Sequence, residues 1–151
     1  MEARQGDYEG NIVTVTKAKV DGFTMEMHAD FRENIESIIP KTNDKVSFKR
    51  LDDHEGCVVR QQKIKMGFMM SNRSMINIYH VVENSDGSLV FLNTSQGNED
   101  LVEKYAKDIG KDVVATNLFN FTKLVPYDGG CEITMVMAMD IAGSIPNAVK
   151  A

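Results

Sequence analysis

Arg60 and Gln62 stand two residues apart in the stretch from Cys57 to Met66. If that stretch is a strand, they share a face with Val58, Ile64 and Met66, while Lys63 and Lys65 fall on the other face with Val59 and Gln61. The lysine face is then expected to be the wet one. Arg60 and Gln62 would be enclosed, and an enclosed guanidinium needs a carboxylate, a phosphate or trapped water to offset its desolvation. The same alternation around Ser74 to Val82 sets Met75, Asn77 and Tyr79 on one face, where an amide and a hydroxyl could orient the polar end of a ligand. Near the end of the chain, Met135, Met137 and Met139 alternate against Glu132, Thr134, Val136 and Ala138, which predicts a methionine row facing inward. Methionine is flexible and polarizable, so such a row suits either a repacking core or an adaptable greasy lining.

Catalytic chemistry has little to work with. His28, His54 and His80 are scattered, and the chain has no HExxH, no GxSxG and no GxxxxGK[ST]. Asp52, Asp53, His54 and Glu55 form the only acidic and histidine cluster, before Gly56, where a solvated turn accounts for it. Arg60, Tyr79 and His80 are the remaining enzymatic candidates, and parity brings only the first two together. No catalytic residue, metal site or cofactor is expected. Cys57 and Cys131 are too far apart in sequence to suggest a metal or redox motif.

These side chains need strands to hold them. Ile12 to Val20 alternates, Asp21-Gly22 supplies a tight turn, and Phe23 to His28 resumes the alternation, which predicts a hairpin. Asp30 then caps a helix carrying Phe31, Ile35 and Ile38, ended at Pro40. Strands follow over Val46 to Leu51, Cys57 to Met66, Ser74 to Val82 and, after the turn Asn84-Ser85-Asp86-Gly87, Ser88 to Thr94. Leu101, Tyr105 and Ile109 mark a helical insert between Ser95 and Asp112, stopped by Gly110. Val113 to Thr122 and Cys131 to Asp140 complete the strands, joined through Pro126, Asp128, Gly129 and Gly130. Ser144-Ile145-Pro146 opens a last helix. At 151 residues, with 42% hydrophobic and 26% charged positions, one domain over 1–151 is expected, with 1–11 as a flexible leader. The net charge of −5 argues against a nucleic-acid partner. No apolar run reaches the ~20 residues of a membrane span and no signal segment is seen, so a cytoplasmic location is expected.

Two segments resemble the START family, the lipid transfer domains related to steroidogenic acute regulatory protein. Tyr127-Asp128-Gly129-Gly130-Cys131-Glu132-Ile133-Thr134, running on to Asp140-Ile141-Ala142-Gly143-Ser144-Ile145-Pro146-Asn147-Ala148-Val149-Lys150, is similar to the family's closing strand and helix start. Met70-Ser71-Asn72-Arg73-Ser74-Met75-Ile76 resembles its Ser-Asn-Arg-Asp loop and strand start. The resemblance implies an α+β helix-grip (START/Bet v 1-like) fold, in which a curved antiparallel sheet wraps a helix around an internal hydrophobic cavity. It also implies a single lipid as ligand, whether phospholipid, sterol or another hydrophobic molecule, carried or sensed with transient membrane contact. Arg60, Gln62, Ile64, Met66, Met75, Asn77, Tyr79, Met135, Met137 and Met139 would bind it, and the Ser95 to Asp112 segment or the final helix would move aside to admit it. The alternative is a regulatory protein-interaction domain of the same fold with a filled core and no ligand. The family's tryptophan segment is absent, the 95–112 loop is longer, and the chain ends where the long final helix begins. Sterol-binding members pair an acid with an arginine where this chain has Arg60 and Tyr79, so the resemblance carries no sterol specificity.

Overall fold

The structure, a computed structural model, describes residues 1–54, 56–67 and 70–142. The helix expected at Ser144 to Pro146 lies outside them. Two strands, β1 (Glu2–Tyr8) and β2 (Asn11–Asp21), lead into two helices, α1 (Met25–Glu33) and α2 (Ile35–Thr42). Strands β3 (Val46–His54), β4 (Cys57–Ile64), β5 (Arg73–Glu83) and β6 (Leu89–Thr94) follow. Two short helices come next, α3 (Glu99–Lys104) and α4 (Ala106–Ile109), and then β7 (Val113–Val114), β8 (Thr116–Tyr127) and β9 (Gly130–Asp140). One sheet takes the order β1-β2-β9-β8-β6-β5-β4-β3, with β7 added parallel to β5 and every other pair antiparallel. The expected α+β architecture is present.

The N-terminal third corrects the sequence reading. Residues 2–8, expected as a leader, form β1, and the hairpin is β1 with β2 across Glu9-Gly10, both at positive φ. All seven β1 residues are exposed, so the strand carries no apolar alternation to betray it. Phe23 to His28 is not a strand. Thr24 Oγ1 accepts from the Met27 N–H at 3.2 Å, capping α1 six residues ahead of the expected Asp30 cap. His28, Phe31 and Ile35 then recur at helical spacing across the α1–α2 junction. The junction is Asn34, whose amide donates to the Asp30 carboxylate at 2.9 Å, and α2 runs through Pro40 to Thr42.

The other end is tied to the middle. Arg73, 3% exposed, donates from its guanidinium to the carbonyls of Ile141 and Ala142, both at 3.1 Å, and to that of Ser71. The two segments that carry the family resemblance therefore meet in space: the arginine of the first satisfies the backbone where the second leaves β9. The turn between β8 and β9 is Asp128-Gly129, and Pro126 belongs to β8 rather than to the connection. Gly130 admits no side chain, because a Cβ there would lie 2.5 Å from the Val20 carbonyl oxygen.

Tyr127 beside that turn donates its hydroxyl to Asp21 at 2.6 Å, and this bond to the carboxylate pushes its pKa up to about 12. The sign follows from linkage: the contact stabilises the fold fully below pH ~10, the ordinary tyrosine value, and is lost as pH rises towards 12. An ultraviolet absorbance titration should show a late phenol phase that Asp21→Asn removes. A titration curve that Asp21→Asn leaves unchanged would contradict the contact.

The helical insert lies on the opposite face of the sheet from α1 and α2. Val59, Gln61 and Lys63 of β4 and Ile76 of β5 lie beneath it. Val59, Ile76 and Ile109 form a buried cluster packed by Leu51, Leu101, Val102 and Tyr105. Lys104 and the Tyr105 hydroxyl both reach Asp52 at 2.9 Å, and these bonds, Lys104 first, hold its carboxyl down to about 2. Lys49 meets Asp108 at 2.6 Å, Lys63 meets Asp112 at 2.9 Å, and Gln61, only 7% exposed, donates to the Asp108 carbonyl at 2.9 Å. The β4 face expected to be wet is therefore partly covered, with Val59 and Gln61 beneath the insert and Lys63 at its margin pairing with Asp112.

Candidate functional site

The sheet face beneath α1 and α2 collects side chains by register. Residues directly opposite in antiparallel strands share a face. Phe48 pairs with Gln62, Gln62 with Met75, and Arg60 with Asn77. Tyr79 pairs with Asn93, Asn93 with Asn120, and Asn120 with Met137. Phe91 pairs with Thr122, and Thr122 with Met135. A register shift between Asn117 and Phe119 sets Asn117 on this face as well, three residues from Asn120, where strict alternation would have separated them. Thr94 Oγ1 bonds the backbone at that irregularity, reaching the carbonyls of Asn117 at 3.1 Å and Leu118 at 2.9 Å.

Between this face and the helices lies a cavity of about 220 Å³. The helices close it with His28, Phe31 and Ile35, and β3 and β6 add Phe48 and Phe91. The sheet floor is polar: Arg60, Gln62, Asn77, Tyr79, Asn93, Asn120 and Thr122. His28 stacks on Phe91 with centroids 4.4 Å apart, and Phe91 lies near-parallel to Tyr79 at 6.4 Å, so an aromatic tier runs from helix to sheet.

Arg60 is 6% exposed. Its Nε donates to Glu36 of α2 at 3.0 Å, and its guanidinium carbon sits 5.5 Å from the Tyr79 ring centre. The carboxylate that an enclosed arginine demands is thus supplied from the helix. Asn77 donates to Gln62 Oε1 at 3.1 Å, and Asn117 donates to Asn77 Oδ1 at 3.4 Å and to the Asn93 carbonyl at 3.2 Å. These amides form a chain across four strands. The side-chain oxygens of Asn93 and Asn117 are buried without a hydrogen-bond partner among the described residues.

Of the residues singled out from the sequence, Arg60, Gln62, Asn77 and Tyr79 line the cavity together. Met75 is on the same face beside Gln62 and 1% exposed, packed into the floor rather than lining the space. Met135 and Met137 share the face, across from Thr122 and Asn120, but stand to one side of the cavity with Met139, which pairs with Asn117. Ile64 keeps the inner parity at the end of β4, whereas Met66 lies past that end because the strand stops two residues before it. His80 pairs with Leu92 on the opposite face, within 3.6 Å of the Cys57 sulfur, so the structure separates it from Arg60 and Tyr79. Sequence reasoning missed Asn93, Asn120 and Thr122. Asparagine is depleted in strands, so each of the pairs Leu92-Asn93 and Phe119-Asn120 was an available signal.

None of the insert's residues lines this cavity; its helices pack on the other face through Leu101, Val102, Tyr105 and Ile109, which does not support the expected part of Ser95 to Asp112 in admitting a ligand. No helix among the described residues is long and apolar enough to cross a membrane, and no group of three or more His, Cys, Asp or Glu among them could hold a metal.

Solved structures define the class. The lipid transfer and protein localization domain of human StarD13 superposes over 96% of this chain and 78% of its own, with a TM-score of 0.67 at 10% identity. Human StAR-related lipid transfer protein 5 matches over 98% and 76%, TM-score 0.67, at 13% identity. The STAR-related lipid transfer protein of Xanthomonas axonopodis matches over 95% and 85%, TM-score 0.65, at 17% identity. This is the helix-grip architecture. More particularly, the chain has the START fold, as the two motif segments implied. No protein-family model and no curated protein matches the sequence.

Proposed function

We propose that this chain binds one lipid or other hydrophobic molecule between α1–α2 and the sheet, for transfer between membranes or for sensing, in the cytoplasm and with transient membrane contact. The observation that supports this reading is the cavity itself: about 220 Å³ with aromatic and aliphatic walls on the helix side and a polar floor whose one arginine is paired with Glu36. Apolar walls take a hydrocarbon chain out of water at about 25 cal/mol per Å², and a few fixed polar groups orient its head. Solved proteins of this fold are described as lipid transfer proteins, which agrees with that use. Ligand pockets usually run to roughly 300–1,000 Å³. The present space therefore suits a single chain or part of a larger lipid, and taking up a whole two-chain lipid requires α1 and α2 to move outward. They are the movable wall, since α3 and α4 are clamped to the far face. The residues that would touch the ligand are Arg60, Gln62, Asn77 and Tyr79, with Asn93, Asn120 and Thr122 added; Met135, Met137 and Met139 would extend the contact as the cavity opens. Catalysis is not part of this reading, because Arg60 is engaged by Glu36 and His80 is on the other face.

The test is to purify the protein natively, extract it with organic solvent, identify the extract by mass spectrometry and measure exchange between vesicles. A stoichiometric hydrophobic molecule with exchange above background is expected. Hydrogen exchange on ligand uptake should slow at α1 and α2 and stay unchanged at α3 and α4. An empty extract with no uptake would instead indicate an interaction domain of the same fold.

A further inference from the structure

Apart from Arg60, the floor of the cavity is built from uncharged amides and hydroxyls, and two buried side-chain oxygens on it lack a donor among the described residues. Gln62 Oε1 is taken by Asn77 at 3.1 Å, but the buried side-chain oxygen of Asn93 has no hydrogen-bond partner among the described residues. Asn117, 2% exposed and bonded to Asn77 and to the Asn93 carbonyl, carries a second such oxygen. A buried acceptor left without a donor is costly, and native structures fill such places with water or a ligand group. Among the described residues Arg60 is the one lysine or arginine lining the cavity, and its charge already faces the Glu36 carboxylate at 3.0 Å. A phosphate or carboxylate head brings only acceptors. Placed on this floor it would set lone pair against lone pair at Asn93 while competing with Glu36 for Arg60.

Taking lipid binding at this site as given, we infer that the cavity selects a neutral head group that donates a hydrogen bond, a hydroxyl or an amide N–H, and rejects anionic heads. The donor goes to Asn93 Oδ1. The remaining lone pairs of a hydroxyl are met by the amide N–H groups of its neighbours on the floor, so a group that both donates and accepts satisfies both sides. An ether or ester, which accepts only, leaves the Asn93 oxygen as it is.

Three probes matched in tail length separate these cases: lauryl alcohol, its methyl ether and the laurate anion. Each is titrated calorimetrically against the intact chain below its solubility limit at about pH 8, where laurate is ionised. The alcohol is expected to bind roughly tenfold more tightly than the ether, the worth of one hydrogen bond, and laurate more weakly still. Asn93→Ala should bring the alcohol down to the ether's affinity. The series in the unsubstituted protein decides the matter by itself if that variant does not fold. Laurate binding as tightly as the alcohol, equal affinities for alcohol and ether, or a preference that survives Asn93→Ala would overturn the head-group inference while leaving lipid binding standing. Failure of all three probes to bind would overturn both.

Discussion

Asn120→Trp should abolish ligand uptake while leaving the protein folded. Asn120 projects from β8 into the cavity between Asn93 and Met137, and its side-chain oxygen accepts a long bond, 3.4 Å, from the Thr122 hydroxyl. An indole there would fill much of a space of about 220 Å³ with apolar atoms. Affinity for a vesicle-borne lipid should fall about 100-fold or more, equivalent to roughly 2.7 kcal/mol. The melting temperature should hold or rise, because filling a void kept for a ligand exchanges function for stability. Scanning calorimetry and vesicle exchange on the same preparation read both quantities. Unimpaired exchange would mean that the ligand lies elsewhere.

The largest effect on stability is expected on the other face. Ile76 is completely buried between β4, β5 and the insert, against Val59 and Ile109. Ile76→Ala removes three carbons from a closed cluster and should cost about 3 kcal/mol, within the range for such truncations. For a chain of this length that corresponds to a fall in melting temperature of roughly 6–12 °C. Val82→Ala, at a position 38% exposed on the same strand, serves as the control and should cost far less. Hydrogen exchange should show α3 and α4 loosening in the Ile76 variant and not in the control. Equal losses from the two substitutions would show that the insert contributes no packing.

How much of this could be read from the sequence depends on what each residue had to signal. The meander from Val46 to Thr94 was legible because period-two alternation is interrupted by glycine turns, and the enclosed parity of Arg60 and Gln62 followed from the lysines opposite. That the lysine face would itself be covered was not legible: Asp112, which pairs with Lys63, comes more than 40 residues later. Strand β1 had no apolar pattern because neither of its faces is buried. Thr24 lost to Asp30 as a cap because Phe23, Met25 and Met27 imitate a strand, although the true helical set was His28, Phe31 and Ile35. Of the site, the half on β4 and β5 was legible and the half on β6 and β8 was not. The irregularity at Leu118 shifts parity between Asn117 and Asn120, and no rule based on strict alternation can bring both to one face. The methionines were assigned to the correct face, but the cavity is centred further along the sheet.

The pairing of β2 with β9 has a consequence for how the molecule is made. The first hairpin is complete by Asp21, yet its inner strand waits for Gly130–Asp140, roughly 110 residues further on. At about 5–20 residues per second on the ribosome, the nascent chain spends roughly 5–20 s with that strand's hydrogen-bonding rim unmet. The glutamate, arginine and aspartate of β1 guard the hairpin's outer rim against stray association during that interval, leaving β2 as the side on which a chaperone would be needed.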